Sequence, residues 1–312
     1  MGLQTGSSDI SWAEILAALS GQETAHSFIL IELRLPRVLL GLITGAVLTL
    51  SGFFMQALIR NPLADPYIMG VTAGAGFGVN LLILGIIPIA AYSILTLPLF
   101  AGIGATASLA LVIGMGFRAM YEDSSRLLIA GVAVSAIFTA ATGVLIYTQA
   151  EADQVRQLVF WSFGSLSRAS WPGVWIAASM LLVAWTSGIL LHRRLDLLNL
   201  GDFQAKSLGM EVFQMKFLLL ILASLVVGAT VAFTGPIGFV GMMIPHFSRS
   251  FFGGLHLKNI WLGTLMGGIY LAACDILGRW LLPPAGLPIG IITAILGVPF
   301  FLYLLFKRKS YL

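Results

Sequence analysis

The sequence predicts an all-α, polytopic transmembrane helix bundle, and three observations carry that reading. The 312 residues are 58% hydrophobic and 10% charged, whereas a soluble domain carries roughly 25% charged residues. The chain offers many apolar windows near the ~20 residues that a membrane-spanning helix needs. Those windows lack the strict alternation of apolar and polar residues that transmembrane barrel strands show.

The elements follow in order. Residues 1–36 form an N-terminal outer segment. They lack the charged n-region and apolar h-region of a secretory signal. Ser11-Trp12-Ala13-Glu14 has capping-box spacing before Ile15, Leu16 and Leu19, which predicts a short amphipathic helix. His26 reads as a solvated loop residue. Residues 37–312 form the transmembrane domain, with nine spans near 37–58, 68–87, 90–117, 126–148, 172–191, 215–233, 237–250, 260–281 and 289–306. The stretch from Arg34 to Gly78 organises them: an arginine-flanked Leu-Pro, an apolar run, a polar hinge from Arg60 to Pro66, and a second apolar run. Span 237–250 is the weakest, because Pro236 and Pro245 interrupt it and His246 and Arg249 shorten it. Such broken helices persist where protein or water satisfies the freed backbone groups.

Two segments between spans are too polar to cross. Residues 149–171 suggest a short interfacial helix around Val155, Leu158 and Phe160. Residues 192–214 hold too many apolar side chains for a free loop. They read as two short helices hinged at Gly201, presenting an apolar patch to a partner. Gly41 and Gly45, then Gly70, Gly74 and Gly78, then Gly263 and Gly267 recur at four-residue spacing, as close-packing helix faces do. Residues 45–52 (GAVLTLSG) echo residues 228–235 (GATVAFTG) on spans of opposite direction, as inverted repeats would.

With the C-terminus cytoplasmic, twelve of the seventeen basic residues fall inside and five outside: Arg34, Arg37, Arg156, Arg168 and Arg279. That satisfies the positive-inside rule. Trp161, Trp171, Trp175 and Trp280 then lie near the outer interface. Nine spans put the N-terminus outside, so either residues 1–33 cross the membrane without a preceding helix or an upstream helix is missing.

No catalytic constellation is found. His26, His192, His246 and His256 are not spaced with acids or cysteine as metal ligands, and no cofactor or metal is expected. Cys274, the only cysteine, reads as a small buried hydrophobe. Residues 201–207 (GDFQAKS) lack the glycine before lysine and the preceding strand of a phosphate loop. Asp275 lies mid-span, one turn before Arg279. An intramembrane acid is a functional candidate, and an i, i+4 ion pair is the structural alternative.

Arg34-Leu-Pro-Arg37, Gln56 with the Arg60-to-Pro66 turn, residues 70–76 (GVTAGAG), residues 127–133 (LLIAGVA), Gly201-Asp202 with Ala205, Leu208 and Gly209, residues 238–246, and Leu287-Pro-Ile-Gly290 with Thr293 and Gly297 occur in order. The set resembles the permease subunit of metal-chelate ABC importers, which take up ferric siderophores, haem and cobalamin, over about residues 8–309. The resemblance implies a homodimeric permease in the inner or plasma membrane. It also implies two separate cytoplasmic ATPase subunits and an external binding protein that delivers the chelate. The permease itself is then no enzyme. The resemblance assigns Arg34, Arg37 and Arg279 to docking the binding protein, and Gly201, Asp202, Ala205, Leu208 and Gly209 to coupling helices within 192–214. Ser124 and Ser125 are assigned to the inner gate. The family usually has ten spans, and its first helix has no counterpart here, so a late start or a trimmed chain is expected. An iron chelate, siderophore or haem, is the expected substrate, with cobalamin the alternative. A stand-alone secondary carrier using Asp275 is the competing class.

Overall fold

The computed structural model describes residues 11–20, 22, 26–88, 95–116 and 124–307. Its first helix, α1 (Trp12–Leu19), carries the expected capping box: Glu14 N donates to Ser11 Oγ at 3.3 Å, and Ser11 N donates to Glu14 Oε2 at 3.0 Å. Those bonds hold the Glu14 carboxyl below its usual range. Ile15 and Ala18 pack on Leu30. His26 sits in a turn, partly exposed, with its Nδ1 3.2 Å from Glu14 Oε1.

A π-helical turn, Ile29–Arg34, runs directly into α2 (Leu35–Ile59). Pro36 sits in the first turn of α2, directly after the π-helical turn. Every residue of α2 from Thr44 to Leu58 is buried. This helix is the pillar of the bundle. Around it stand α7 (Trp171–Asn199), α9 (Val212–Thr234), α10 (Val240–Phe252) and α11 (His256–Leu281). Two glycines make that possible. A Cβ at Gly45 would lie 2.2 Å from Gly267 O, and one at Gly52 would lie 1.9 Å from Gly241 O.

Arg60 ends α2 in the left-handed conformation, φ 54°. The hinge after it is stiffened by Asn61 and Asp65, whose side chains accept from Leu63 N and Tyr67 N, each at 2.9 Å. A 3-10 turn, Pro66–Met69, follows, and Gly70 at φ 75° opens α3 (Val71–Ile83). Helix α3 lies against α4 (Thr96–Gly116) at glycine-to-glycine distance, since a Cβ at Gly74 would come 2.3 Å from Gly104 O.

Next come α5 (Ser124–Gln149), α6 (Ala152–Ser162), a long α7, α8 (Asp202–Ser207), α9, α10, α11 and α12 (Ile289–Lys307). Helix α6 is the short helix expected between spans. The pair of helices expected in 192–214 is corrected: residues 192–199 continue α7 without a break, and only α8 stands apart. Gly201, at φ 109°, makes the turn between them. The uninterrupted i to i−4 periodicity of α7 absorbs the apolar residues Leu195, Leu197 and Leu198, of which Leu195 and Leu198 are fully buried.

Among the described residues, six helices are long and apolar enough to cross a membrane. Span 68–87 differs from expectation, whereas 237–250 holds a short helix after a break, as its prolines and charges predict, with Pro245 inside the helix. Helices α3 and α10 have 13 residues each, about 20 Å at 1.5 Å per residue, short of the ~30 Å hydrocarbon core. Each is preceded by a broken segment and opens on a left-handed residue, Gly70 or Phe239. The two breaks meet: Ile237 N donates to Tyr67 Oη at 3.0 Å. A freed backbone donor is thereby satisfied inside the bundle. The echoing segments 45–52 and 228–235 lie on α2 and at the end of α9, two helices that pack side by side.

Candidate docking and coupling sites

The two ends of the pillar hold the two candidate sites. At the start of α2, Arg37 grips Asp275 of α11 in a fork. Its Nε donates to Oδ1 at 3.0 Å and to Oδ2 at 3.2 Å, and its Nη2 donates to Oδ1 at 2.8 Å. Arg279 adds a second contact to the same carboxylate, Nε to Oδ2 at 3.1 Å. The i, i+4 pair is therefore present, and Arg37 makes it a triad. Two guanidiniums on one nearly buried carboxylate fix the start of α2 to the end of α11.

The three arginines singled out in the sequence are not equally accessible. Arg34 is buried, Arg279 is 10% exposed at its side chain, and Arg37 is 24% exposed. Beside them opens a cleft of about 370 Å³ lined by Arg37, Arg156, Arg168, Ser165, Ser167 and Trp161. Arg156 and Arg168 are exposed, and Arg156 pairs with the equally exposed Asp153 at 3.2 Å. Placing both arginines at this end was within reach of the sequence, but no motif singles them out. The cleft that joins them to Arg37 depends on α6 and the turn after it.

At the other end, α8 projects from the bundle between α7 and α9. Leu200, Phe203 and Leu208 are 57%, 84% and 63% exposed, an apolar tip made of one residue on the six-residue helix and a leucine beside each end. Gly201 and Gly209 bracket the helix at φ 109° and 83°. Of the residues assigned to coupling, Ala205 is fully buried and faces the bundle, and Leu208 faces out. Phe203, the most exposed of the tip residues, was absent from that set. Its place in Gly201-Asp202-Phe203 was the available signal.

Asp202 is tied inward. Its Oδ2 accepts from Lys216 Nζ at 2.5 Å and lies 3.4 Å from Arg60 Nη2. Lys216 is 2% exposed at its side chain. Nearby, His256 Nδ1 lies 2.6 Å from Asp196 Oδ1, which ties α11 to the end of α7. Arg249 donates to Gln56 Oε1, while Gln56 Nε2 donates to Gly241 O at 3.3 Å and Met242 O at 3.2 Å. Ser124 and Ser125 open α5 in the backbone, and their side chains lie outside the described residues. Among the described residues, no three His, Cys, Asp or Glu side chains converge as a metal site would require.

The family model of the FecCD transport family matches residues 1–307. The chain belongs to that family. It is 40% identical over 283 residues to the hemin transport system permease protein of Yersinia pestis, covering 90% of this chain and 84% of the relative. It is 35% identical to the Fe(3+) dicitrate transport system permease protein of Escherichia coli, covering 99% and 94%. The molybdate import system permease protein of Haemophilus influenzae is 34% identical, covering 90% and 82%. A solved structure described as an inward-facing conformation of a metal-chelate type ABC transporter superposes with a TM-score of 0.86 at 31% identity, covering 98% of this chain and 94% of that one. A FecCD chain is the multi-pass permease of an ABC importer, whose ATPase is a separate subunit. The fold and the family reading from sequence both hold.

Proposed function

We propose that this chain is the membrane subunit of an ATP-driven importer of an iron chelate, haem or a ferric siderophore or citrate complex. Two copies form the pathway, two ATPase subunits bind the α8 end, and an external binding protein docks at the Arg37 end. The α8 end and the C-terminus are cytoplasmic in the cell or inner membrane. The observation that carries this reading is the apolar tip of α8. Phe203 is exposed on α8, Leu200 and Leu208 are exposed beside its two ends, and Asp202 ties the helix to Lys216 and Arg60. In water that patch needs a partner. Membership of an importer family makes an ATPase cleft the fitting one.

The iron preference rests on the hemin and Fe(3+) dicitrate relatives. The molybdate relative favours an oxyanion as the second reading. At the Arg37 end, docking falls chiefly to Arg37, Arg156 and Arg168, which line the cleft, with Arg34 and Arg279 buttressing them from below. Guanidinium groups suit acidic side chains of a binding protein. Asp275 is a poor proton or ion carrier, since two guanidiniums hold it. That weighs against a stand-alone carrier. Non-enzymatic action of the chain itself follows from the same assignment.

The test is co-purification with the ATPase subunits encoded alongside it. Phe203→Glu places a charge in the apolar tip and leaves the buried core untouched. We expect recovery of the ATPase with the permease to fall at least tenfold, with an unchanged melting temperature. Full recovery would remove α8 as the ATPase contact.

A further inference from the structure

Two cavities meet at the Arg37 end of the bundle. The larger, about 840 Å³, is a groove between α4 and α9, with Ile176 of α7 at its edge. It follows α4 from Thr96 to Ala110, about 21 Å at 1.5 Å per residue. One leaflet supplies about 15 Å of a ~30 Å hydrocarbon core, so the groove is long enough for an acyl chain. Its walls are largely apolar: Leu99, Ile103 and Leu109 on one side, Leu225, Ala229 and Phe233 on the other. Gly102 leaves open space there, and the Thr106 hydroxyl is turned back on its own helix, donating to Gly102 O at 2.8 Å.

The smaller cavity is the arginine cleft of about 370 Å³. The two join at the top of the groove. Phe233 lines both, and Leu97 of the cleft lies between Thr96 and Pro98 of the groove. Arg37, Arg156 and Arg168 line the cleft, and no carboxylate does. Arg37 and Arg156 pair with Asp275 and Asp153. Arg168 has no ion-pair partner among the described residues. An apolar slot that ends in uncompensated positive charge fits an anionic amphiphile. A compact chelate would fill the cleft and leave the groove empty. A protein helix would fill the groove and leave Arg168 without an anion.

We propose that an anionic phospholipid of the outer leaflet seats here, its acyl chain in the α4–α9 groove and its phosphate on Arg168 whenever no binding protein is docked. The chain alone gives no selectivity, because lipid is as apolar as the groove. Selectivity comes from the head, where a guanidinium takes two phosphate oxygens at once. Arg168 is exposed, so the gain is modest and falls with salt.

The test uses the full-length permease in lipid bilayers without binding protein. A bimane label at Ile103→Cys, an exposed groove position, reports the lipid in the groove, and one at Leu190→Cys, exposed on α7 outside it, reports bulk lipid. Cys274 is buried and stays unlabelled. Quenching by brominated phosphatidylglycerol is compared with quenching by brominated phosphatidylcholine. At Ile103→Cys we expect the anionic lipid to be preferred about fivefold, with no preference at Leu190→Cys. Adding Arg168→Gln should bring the groove to the bulk value. Should that variant fail to insert, the parent at about 1 M salt stands in, since screening there reaches about 3 Å. Equal quenching by both lipids at Ile103→Cys overturns the proposal. So does an equal preference at Leu190→Cys, or one that survives Arg168→Gln or its high-salt substitute. Quenching by neither lipid at Ile103→Cys would mean that a protein segment covers the groove, and overturns it as well.

Discussion

Asp275 is the residue on which the arginine cluster depends. It faces Arg37 and Arg279 at 2.8 Å and 3.1 Å and is 5% exposed at its side chain. Removing one member of a buried ion pair costs about 3–5 kcal/mol, and the partial exposure of Arg37 reduces that here. Asp275→Asn is therefore expected to lower the melting temperature in detergent by several degrees, read by tryptophan fluorescence. Arg37→Gln should cost less, because its charge is the more solvated. A melting temperature unchanged in Asp275→Asn would mean the triad adds nothing to the fold. Half of this cluster was legible in the sequence. The i, i+4 spacing of Asp275 and Arg279 is local and can be read from a helix. Arg37 lies 238 positions away from Asp275, and nothing in the chain's periodicity joins them. For the same reason the sequence treats Arg34, Arg37 and Arg279 alike as outward arginines. Which of them a helix buries depends on neighbours that only the folded bundle supplies.

Helices α3 and α4 show what small residues do for an element. The four-residue spacing of Gly70, Gly74 and Gly78 marks one face of α3, but the facing residues, Phe100, Gly104 and Ser108, share that spacing with only one glycine among them and so form no small-residue motif. Cβ atoms at Gly74 and Gly104 would each run into the other's carbonyl, at 2.3 Å and 2.0 Å. Backbone cannot step aside as a side chain can. Gly74→Leu should separate the two helices and cost at least the ~1–3 kcal/mol typical of overpacking. Gly102→Leu, two residues before Gly104 on the other side of α4 and in open space, should be tolerated. Comparing monodisperse yield of the two variants by size-exclusion chromatography checks this, and equal yields would refute it. Of the two 13-residue helices, α10 was legible as a broken span from Pro236, His246 and Arg249, and α3 was harder to foresee. Gly70 gives a hint that the chain turns, since glycine adopts positive φ freely. Phe239 gives none, and its φ of 70° is imposed by the surrounding structure.

At the scale of the molecule, hydropathy says which segments lie in the membrane and not which lies at its centre. The apolar windows of Ile29–Ile59 and Arg126–Gln149 are nearly equal in hydropathy, yet 78% of one is buried and 17% of the other. Lipid is as apolar as a protein core, so greasiness cannot sort the two. The usable signal was chemical: Thr44, Thr49, Ser51 and Gln56 are polar residues in α2, and all are buried in the bundle. Orientation rests instead on charge. Most basic residues gather toward the α8 end, where the positive-inside rule places the cytoplasm. Arg168→Cys and Lys206→Cys test that directly, because both sites are exposed and lie at opposite ends, while Cys274 is buried. A membrane-impermeant maleimide should label Arg168→Cys in intact spheroplasts and Lys206→Cys only after permeabilisation. The reverse pattern would put the apolar tip of α8 outside the cell, beyond reach of any ATPase, and the import reading would fall with it.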